Sequence, residues 1–163
     1  MRRIWLLLVF ICFFIGQGSW GGYGNKFVFA QLKYDGAWDP YPEVHFQVLD
    51  MVKSMTNIPF EIDRKVLTLL SPDLFDYPFI LIKGNSKFSF SKQEKKRFKS
   101  YIDRGGFVVF DDTLADSEGP FARSVRQLMS ELFPESSIRP LSQDHALYRT
   151  FFLLRRVSGR RIS

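Results

Sequence analysis

The chain has 163 residues, of which 45% are hydrophobic and 18 are phenylalanine; this suffices for one folded domain and is too short for two large ones. Its net charge of +6 arises at the two ends, because six arginines lie there and the remaining 17 Lys and Arg balance 17 Asp and Glu. Between its ends the chain therefore has no basic stripe, and we predict no nucleic-acid partner.

The N-terminal segment has the order of a secretory leader. Arg2 and Arg3 precede the uncharged run Ile4–Gly16, which is followed by small residues. The run is short for a membrane span, which needs about 20 apolar residues. We predict that residues 1–18 are a secretory leader, with an uncleaved N-terminal anchor as the alternative.

Cysteine chemistry is excluded by a simple count. The single cysteine, Cys12, lies inside the apolar run of the leader. A chain without its leader would have no disulfide, no thiolate nucleophile and no cysteine metal ligand.

From Lys26 onward the pattern alternates between strands and helices. The order begins with a strand, a helix that starts near a proline, a short extended segment and an apolar strand: Phe27–Leu32, Glu43–Thr56, Val66–Leu70 and Pro78–Gly84.

The second half of the domain repeats this alternation. Ser91 and Glu94 form a capping box that begins a helix ending near Asp103, where Gly105 and Gly106 stop it. The apolar segment Phe107–Phe110 predicts a central strand. A third helix over Phe121–Leu132 and one more strand in DHALYRTFFLL complete the pattern.

This alternation predicts an α/β domain over residues 26–154, with a mostly parallel sheet covered by helices on both faces. Residues 155–163 form a basic C-terminal tail. In such sheets ligands bind beyond the carboxyl ends of the strands. Those ends are the loops Lys33–Tyr41, Lys83–Phe88 and Asp111–Gly119.

Four segments together resemble a known family: FVFAQLKYDGAWD, LFDYPFILIKGNSKFSFSKQE, YIDRGGFVVFDD and FPES with LSQDHALY. They are similar to the domain-of-unknown-function 4159 family of secreted bacterial proteins, from about Phe27 to Leu154. The resemblance implies a flavodoxin-like three-layer sandwich related to class I glutamine amidotransferases. It also implies a periplasmic location, or anchoring in the inner membrane, with no established activity. Members of the family continue further, so the resemblance implies that the domain is truncated.

The chain lacks the catalytic cysteine that the amidotransferase resemblance would imply. In that fold the strand after the glycine pair leads into a nucleophile elbow with the catalytic cysteine, whereas here Asp111 and Asp112 follow. A cysteine-dependent amidotransferase is therefore excluded. The chain also has Asn85 after Gly84 where the family has histidine, and Ala146 after Asp144-His145 where the family has proline, which argues against catalysis there.

Four polar pairs at the strand ends are candidate ligand-binding residues: Trp38 and Asp39, Gly84 and Asn85, Asp111 and Asp112, and Asp144 and His145. Each has a structural alternative. Trp38 could stack on a sugar or pack as a lid on the core. The loop after Gly84 could hold an anion through backbone amides or simply be a tight strand exit. Asp111 and Asp112 could bind a divalent cation or stabilise a turn.

Three functions remain open. The first is a ligand- or partner-binding module of the cell envelope, with a glycan or another small polar molecule as the ligand and no cofactor. The second is a metal-assisted hydrolase acting on such a substrate, with Asp39, Asp111 and His145 as metal ligands. The third is a structural subunit of a membrane-associated complex, which would use an uncleaved anchor.

Overall fold

A computed structural model of the chain describes residues 26–150. The predicted leader at residues 1–18 and the basic tail at residues 155–163 lie outside this range. None of the helices in residues 26–150 is long and apolar enough to cross a membrane.

Within residues 26–150, four parallel strands form the sheet, in the order β2-β1-β3-β4. Their bounds are Ala30–Leu32 for β1, Lys65–Leu67 for β2, Phe79–Gly84 for β3 and Phe107–Asp112 for β4. β3 and β4 pair along their whole length, from Phe79 beside Phe107 to Gly84 beside Asp112. The prediction of a parallel α/β sheet is confirmed.

Helices cover both faces of this sheet. They are α1 (Val44–Met55), α2 (Lys92–Asp103) and α3 (Pro120–Leu132), with short 3₁₀ helices at Pro72–Asp76 and Ala146–Tyr148. Side chains alternate between the two faces of a strand. One face of the sheet therefore packs into the core with α2 and α3, and the other carries α1, whose His45 ring lies 6.1 Å from that of Phe29. The flavodoxin-like sandwich predicted from the sequence is confirmed.

The capping box of α2 forms as predicted. The Glu94 backbone N–H donates to the Ser91 hydroxyl, and the Ser91 N–H donates to the Glu94 carboxylate over 2.8 Å. At the other end the chain turns through Gly105, whose φ of +90° is accessible to glycine without strain. Local signals therefore determine both ends of this helix.

For the later part of the chain, one prediction is wrong within the described residues and another lies partly outside them. β4 lies at the end of the strand order there, and Phe107 is 56% exposed, so the apolar sequence of this strand does not reflect a central position. The last strand, predicted in DHALYRTFFLL, is not seen at Ala146–Tyr148, which is 3₁₀ helical. The rest of that segment, from Phe151, lies outside the described range.

Candidate functional site

The strand order creates a switch point at the carboxyl edge of the sheet. β2 and β3 lie on opposite sides of β1, so the connections that leave β1 and β3 diverge there. Open α/β sheets bind ligands in the crevice at this position. The loops after β1, β3 and β4 all start at this edge, because the strands are parallel. Three of the four predicted polar pairs lie at the ends of these strands or in the loops that follow them.

Lys83 is the central residue of a polar cluster at this edge of the sheet. It lies near the end of β3, is 1% exposed, and its side chain is on the α1 face of the sheet, as is that of Gln31 in β1. Its ammonium group is 2.9 Å from Asp39 Oδ1 and donates a hydrogen bond to the carbonyl of Tyr41. A buried cation requires such partners. Lys83 therefore ties the loop after β1 to the sheet.

Asp39 is the anion of a polar cluster that it forms with Lys83, Arg64 and Gln31, the Lys83–Asp39 cluster. Its two oxygens accept hydrogen bonds from the Arg64 guanidinium at 2.8 and 2.5 Å, and Gln31 Nε2 donates to Oδ1 at 3.2 Å. The side-chain oxygen of Gln31, Oε1, in turn accepts a hydrogen bond from the Arg64 guanidinium at 2.9 Å. The hydrogen bond with Arg64, followed by those with Lys83 and Gln31, holds the pKa of Asp39 well below its usual range, against the opposing effect of burial.

Trp38 packs over the core, as in the structural alternative predicted for it. The residue is half-buried and packs against the core, and its backbone carbonyl accepts a hydrogen bond from Gln31 at 3.1 Å. Two cations lie near its ring: Lys33 Nζ is 5.8 Å and the Arg64 guanidinium 5.7 Å from the ring centroid. The indole therefore covers the core and keeps an accessible part in an electropositive setting.

Gly84 is required by close packing. A Cβ atom there would lie 2.1 Å from the Tyr34 hydroxyl and 2.9 Å from the Phe121 ring. The Tyr34 hydroxyl donates to the carbonyl of Lys83 over 3.0 Å, and burial raises the pKa of Tyr34 to about 12. This glycine thus has a structural role, and the half-buried Asn85 follows it directly.

The two aspartates at the end of β4 have different environments. Asp111 is in register with Lys83 on the neighbouring strand, and partial desolvation together with Asp112 raises its pKa, although the charge of Lys83 opposes this shift. Asp112 Oδ1 accepts a hydrogen bond from the backbone N–H of Leu114, which makes the turn predicted for this position. Its Oδ2 is buried and has no hydrogen-bond partner within residues 26–150. Asp111 is the exposed member of the pair.

Asp144 and His145 are engaged locally. Asp144 pairs with Arg149 at 2.6 Å, and His145 Nδ1 accepts from the Leu147 backbone N–H at 3.2 Å. Both side chains are exposed. Over the part of the chain that the structure describes, no three His, Cys, Asp or Glu residues are close enough together to hold a metal ion.

Sequence reasoning missed Lys83, Gln31 and Arg64. For the first two a signal existed, because each is a polar residue inside an apolar strand, in FILIKG and FVFAQL. Lysine is almost never fully buried without a partner, so its position in β3 implied a nearby carboxylate. Nothing in the local sequence marks Arg64, which reaches the cluster only through the pairing of β1 with β2.

The match to a known family covers this whole arrangement. The family model described as Domain of unknown function (DUF4159) matches residues 28–162. The chain belongs to this family. In this DUF4159 chain the matched range includes all four strands and every residue of the Lys83–Asp39 cluster, so the resemblance inferred from the sequence is confirmed. No curated protein shows a significant match to the chain.

Proposed function

We propose that this domain is a binding module of the bacterial cell envelope that takes a small polar ligand, such as a glycan, at the carboxyl edge of its sheet. The observation that carries the proposal is the preorganised loop at the switch point. Lys83, Asp39 and Arg64 fix the backbone around Trp38, so that its partly exposed indole lies in a set position. A rigid aromatic beside polar groups binds a sugar at a low cost in conformational entropy.

The groups around the crevice support binding more than catalysis. Asp39 is already held by two cations, so its carboxylate is a poor base and has little free capacity for a metal ion. Asp111 is exposed and offers a carboxylate that can accept hydrogen bonds from hydroxyl groups. Export fits this role, and the order of charged, apolar and small residues at the N-terminus supports it.

A titration followed by NMR tests the proposal. Neutral hexoses, amino sugars and uronic acids are added to the ¹⁵N-labelled protein, and we expect saturable shifts in the loops that follow β1, β3 and β4. Trp38→Ala and Asp111→Asn should each weaken binding about tenfold or more, the loss expected for one stacking or charge-assisted contact of 1.4 kcal/mol or more. Phe107→Ala is the matched control, because Phe107 is an exposed aromatic residue at the opposite edge of the sheet.

Two results would contradict the proposal. One is a set of ligand-induced shifts that avoids all three loops. The other is binding that Trp38→Ala leaves intact while its spectrum shows a folded protein. If only a partner protein shifts these loops, the site is a protein-docking surface and the small-ligand proposal is wrong.

A further inference from the structure

A second concave site lies away from the crevice, between α2, α3 and the segment that enters α2. Its volume is about 200 Å³. This is smaller than the range of about 300–1,000 Å³ that is common for sites of drug-sized molecules, so it suits a ligand of amino-acid size. Its lining includes none of Trp38, Asp39 and Asp111. We call it the helix cleft.

The floor of the helix cleft is apolar. Phe88, Phe90 and Leu128 line it, and the two phenylalanine rings are 5.3 Å apart. The chain before α2 alternates between buried phenylalanines and exposed neighbours, which directs both rings inward. The backbone N–H of Phe88 donates to the Ser124 hydroxyl on α3 over 3.1 Å and fixes the segment in place. All three side chains are nearly fully buried, so the floor offers a preformed but small apolar surface to an aliphatic group.

The rim of the helix cleft has an excess of positive charge. Lys87 and Lys95 line it together with one acid, Glu131. Lys95 Nζ and Glu131 Oε2 form an ion pair across the cleft at 2.6 Å, and both groups are partly exposed. Exposed pairs of this kind contribute only about 0–1 kcal/mol, so an incoming carboxylate can replace Glu131 at low cost.

We propose that the helix cleft binds a small carboxylic acid with an aliphatic body, such as an N-acylated apolar amino acid or the carboxyl-terminal residue of a peptide. The carboxylate pairs with Lys95 and Lys87, while the aliphatic side chain lies on the small apolar floor of the cleft. In this arrangement Glu131 competes with the ligand for Lys95. The cleft shares Lys87 and Phe88 with the loop after β3, so shifts at Trp38 and Asp111, which the cleft does not contain, distinguish the two proposals.

The test uses N-acetyl-leucine as the probe and N-acetyl-leucine amide as its neutral counterpart. We expect N-acetyl-leucine at millimolar concentrations to shift the amide signals of residues 87–90 and of α3 in the ¹⁵N-labelled protein. The amide should bind at least about twofold more weakly, because it lacks the charge that pairs with lysine. A tetrapeptide ending in leucine distinguishes the two sources, since it binds only if the cleft also accepts a chain that extends beyond one residue.

Substitutions at the rim have opposite expected effects. Lys95→Gln should weaken binding of N-acetyl-leucine about two- to fivefold, whereas Glu131→Gln should strengthen it by a similar factor because the competing carboxylate is removed. Lys99→Gln is the control: Lys99 is on the same helix and pairs with Asp103 outside the cleft. Gln127→Trp, at an exposed position of the lining, should block binding without unfolding the protein.

Several outcomes would overturn the proposal. They are an absence of saturable shifts in the cleft, equal binding of the acid and the amide, and weaker binding by Glu131→Gln. Retained affinity in a folded Gln127→Trp variant would also place the ligand elsewhere.

Discussion

Lys83 shows how one buried charge can organise a loop. A lysine inside a core strand has a large desolvation cost, which Asp39 and the Tyr41 carbonyl offset. Buried ion pairs add little net stability compared with apolar residues of the same size, but breaking one by removing a single partner is costly. We therefore expect the cluster to define the loop conformation more than to raise the free energy of unfolding.

A double-mutant cycle at Asp39 and Lys83 tests this expectation. Asp39→Ala leaves Lys83 and Arg64 without their carboxylate, and it should lower the free energy of unfolding by about 3–5 kcal/mol. Adding Lys83→Met removes the unpaired ammonium group, so the double variant should be more stable than Asp39→Ala alone. Urea denaturation of the four proteins measures the coupling. Simple additivity of the two changes would show that Lys83 is not held by Asp39.

Among the elements, β3 joins the core to the candidate site. Ile80 and Ile82 pack into the core that α2 and α3 cover, and the last two residues, Lys83 and Gly84, anchor the loops of the crevice. The sequence predicted this strand and its end at Gly84, because an apolar run that stops at a glycine is a strong local signal. The prediction of β2 was less accurate. We expected the extended segment at Val66–Leu70, and the strand is Lys65–Leu67. β2 pairs with three residues of β1, so a partner distant in the chain sets its length.

The close packing around Gly84, at the end of β3, can be tested by substitution. Gly84→Ala places a methyl group against the Tyr34 hydroxyl and the Phe121 ring, and this overpacking should lower the free energy of unfolding by about 1–3 kcal/mol. Tyr34→Phe removes the nearer atom, so the double variant Gly84→Ala/Tyr34→Phe should lose less than the sum of the two single losses. Gly105→Ala is a useful comparison, because a Cβ there meets nothing within 4 Å and only its φ of +90° is strained. An unchanged stability of Gly84→Ala would contradict the close packing.

Across the whole molecule, sequence patterns predicted most of the architecture and only part of the site. Strand and helix alternation gave the parallel sheet, and this in turn placed three loops at one edge. The patterns failed where an interaction depends on elements far apart in the chain. Arg64, on the approach to β2, meets Asp39 after β1 only because those strands pair. The sequence pattern was also misleading for β4. Its apolar residues suggested a central strand, but Phe107 is exposed.

The charges at the carboxyl edge predict opposite effects of two similar substitutions. Asp39 has a lowered pKa in the folded protein, so its ionised form stabilises the fold above the unfolded pKa of about 4. This contribution is lost as the pH falls through the lower folded value. Asp111 has a raised pKa, so ionising it costs stability at neutral pH, and that cost disappears when the residue is protonated in both states.

We therefore expect Asp39→Asn to be less stable than the parent protein at pH 7 and Asp111→Asn to be more stable. Both differences should shrink on acidification, because Asp39 takes up its proton first in the unfolded chain and Asp111 takes up its proton first in the folded chain. The difference in stability between Asp111→Asn and the parent protein should fall toward zero first, below about pH 4. At this pH Asp39 is still ionised in the folded state. Urea denaturation between pH 3 and 7 measures both profiles. Two differences of the same sign, or differences that do not change with pH, would show that the two carboxylates do not have the opposite electrostatic environments described for them.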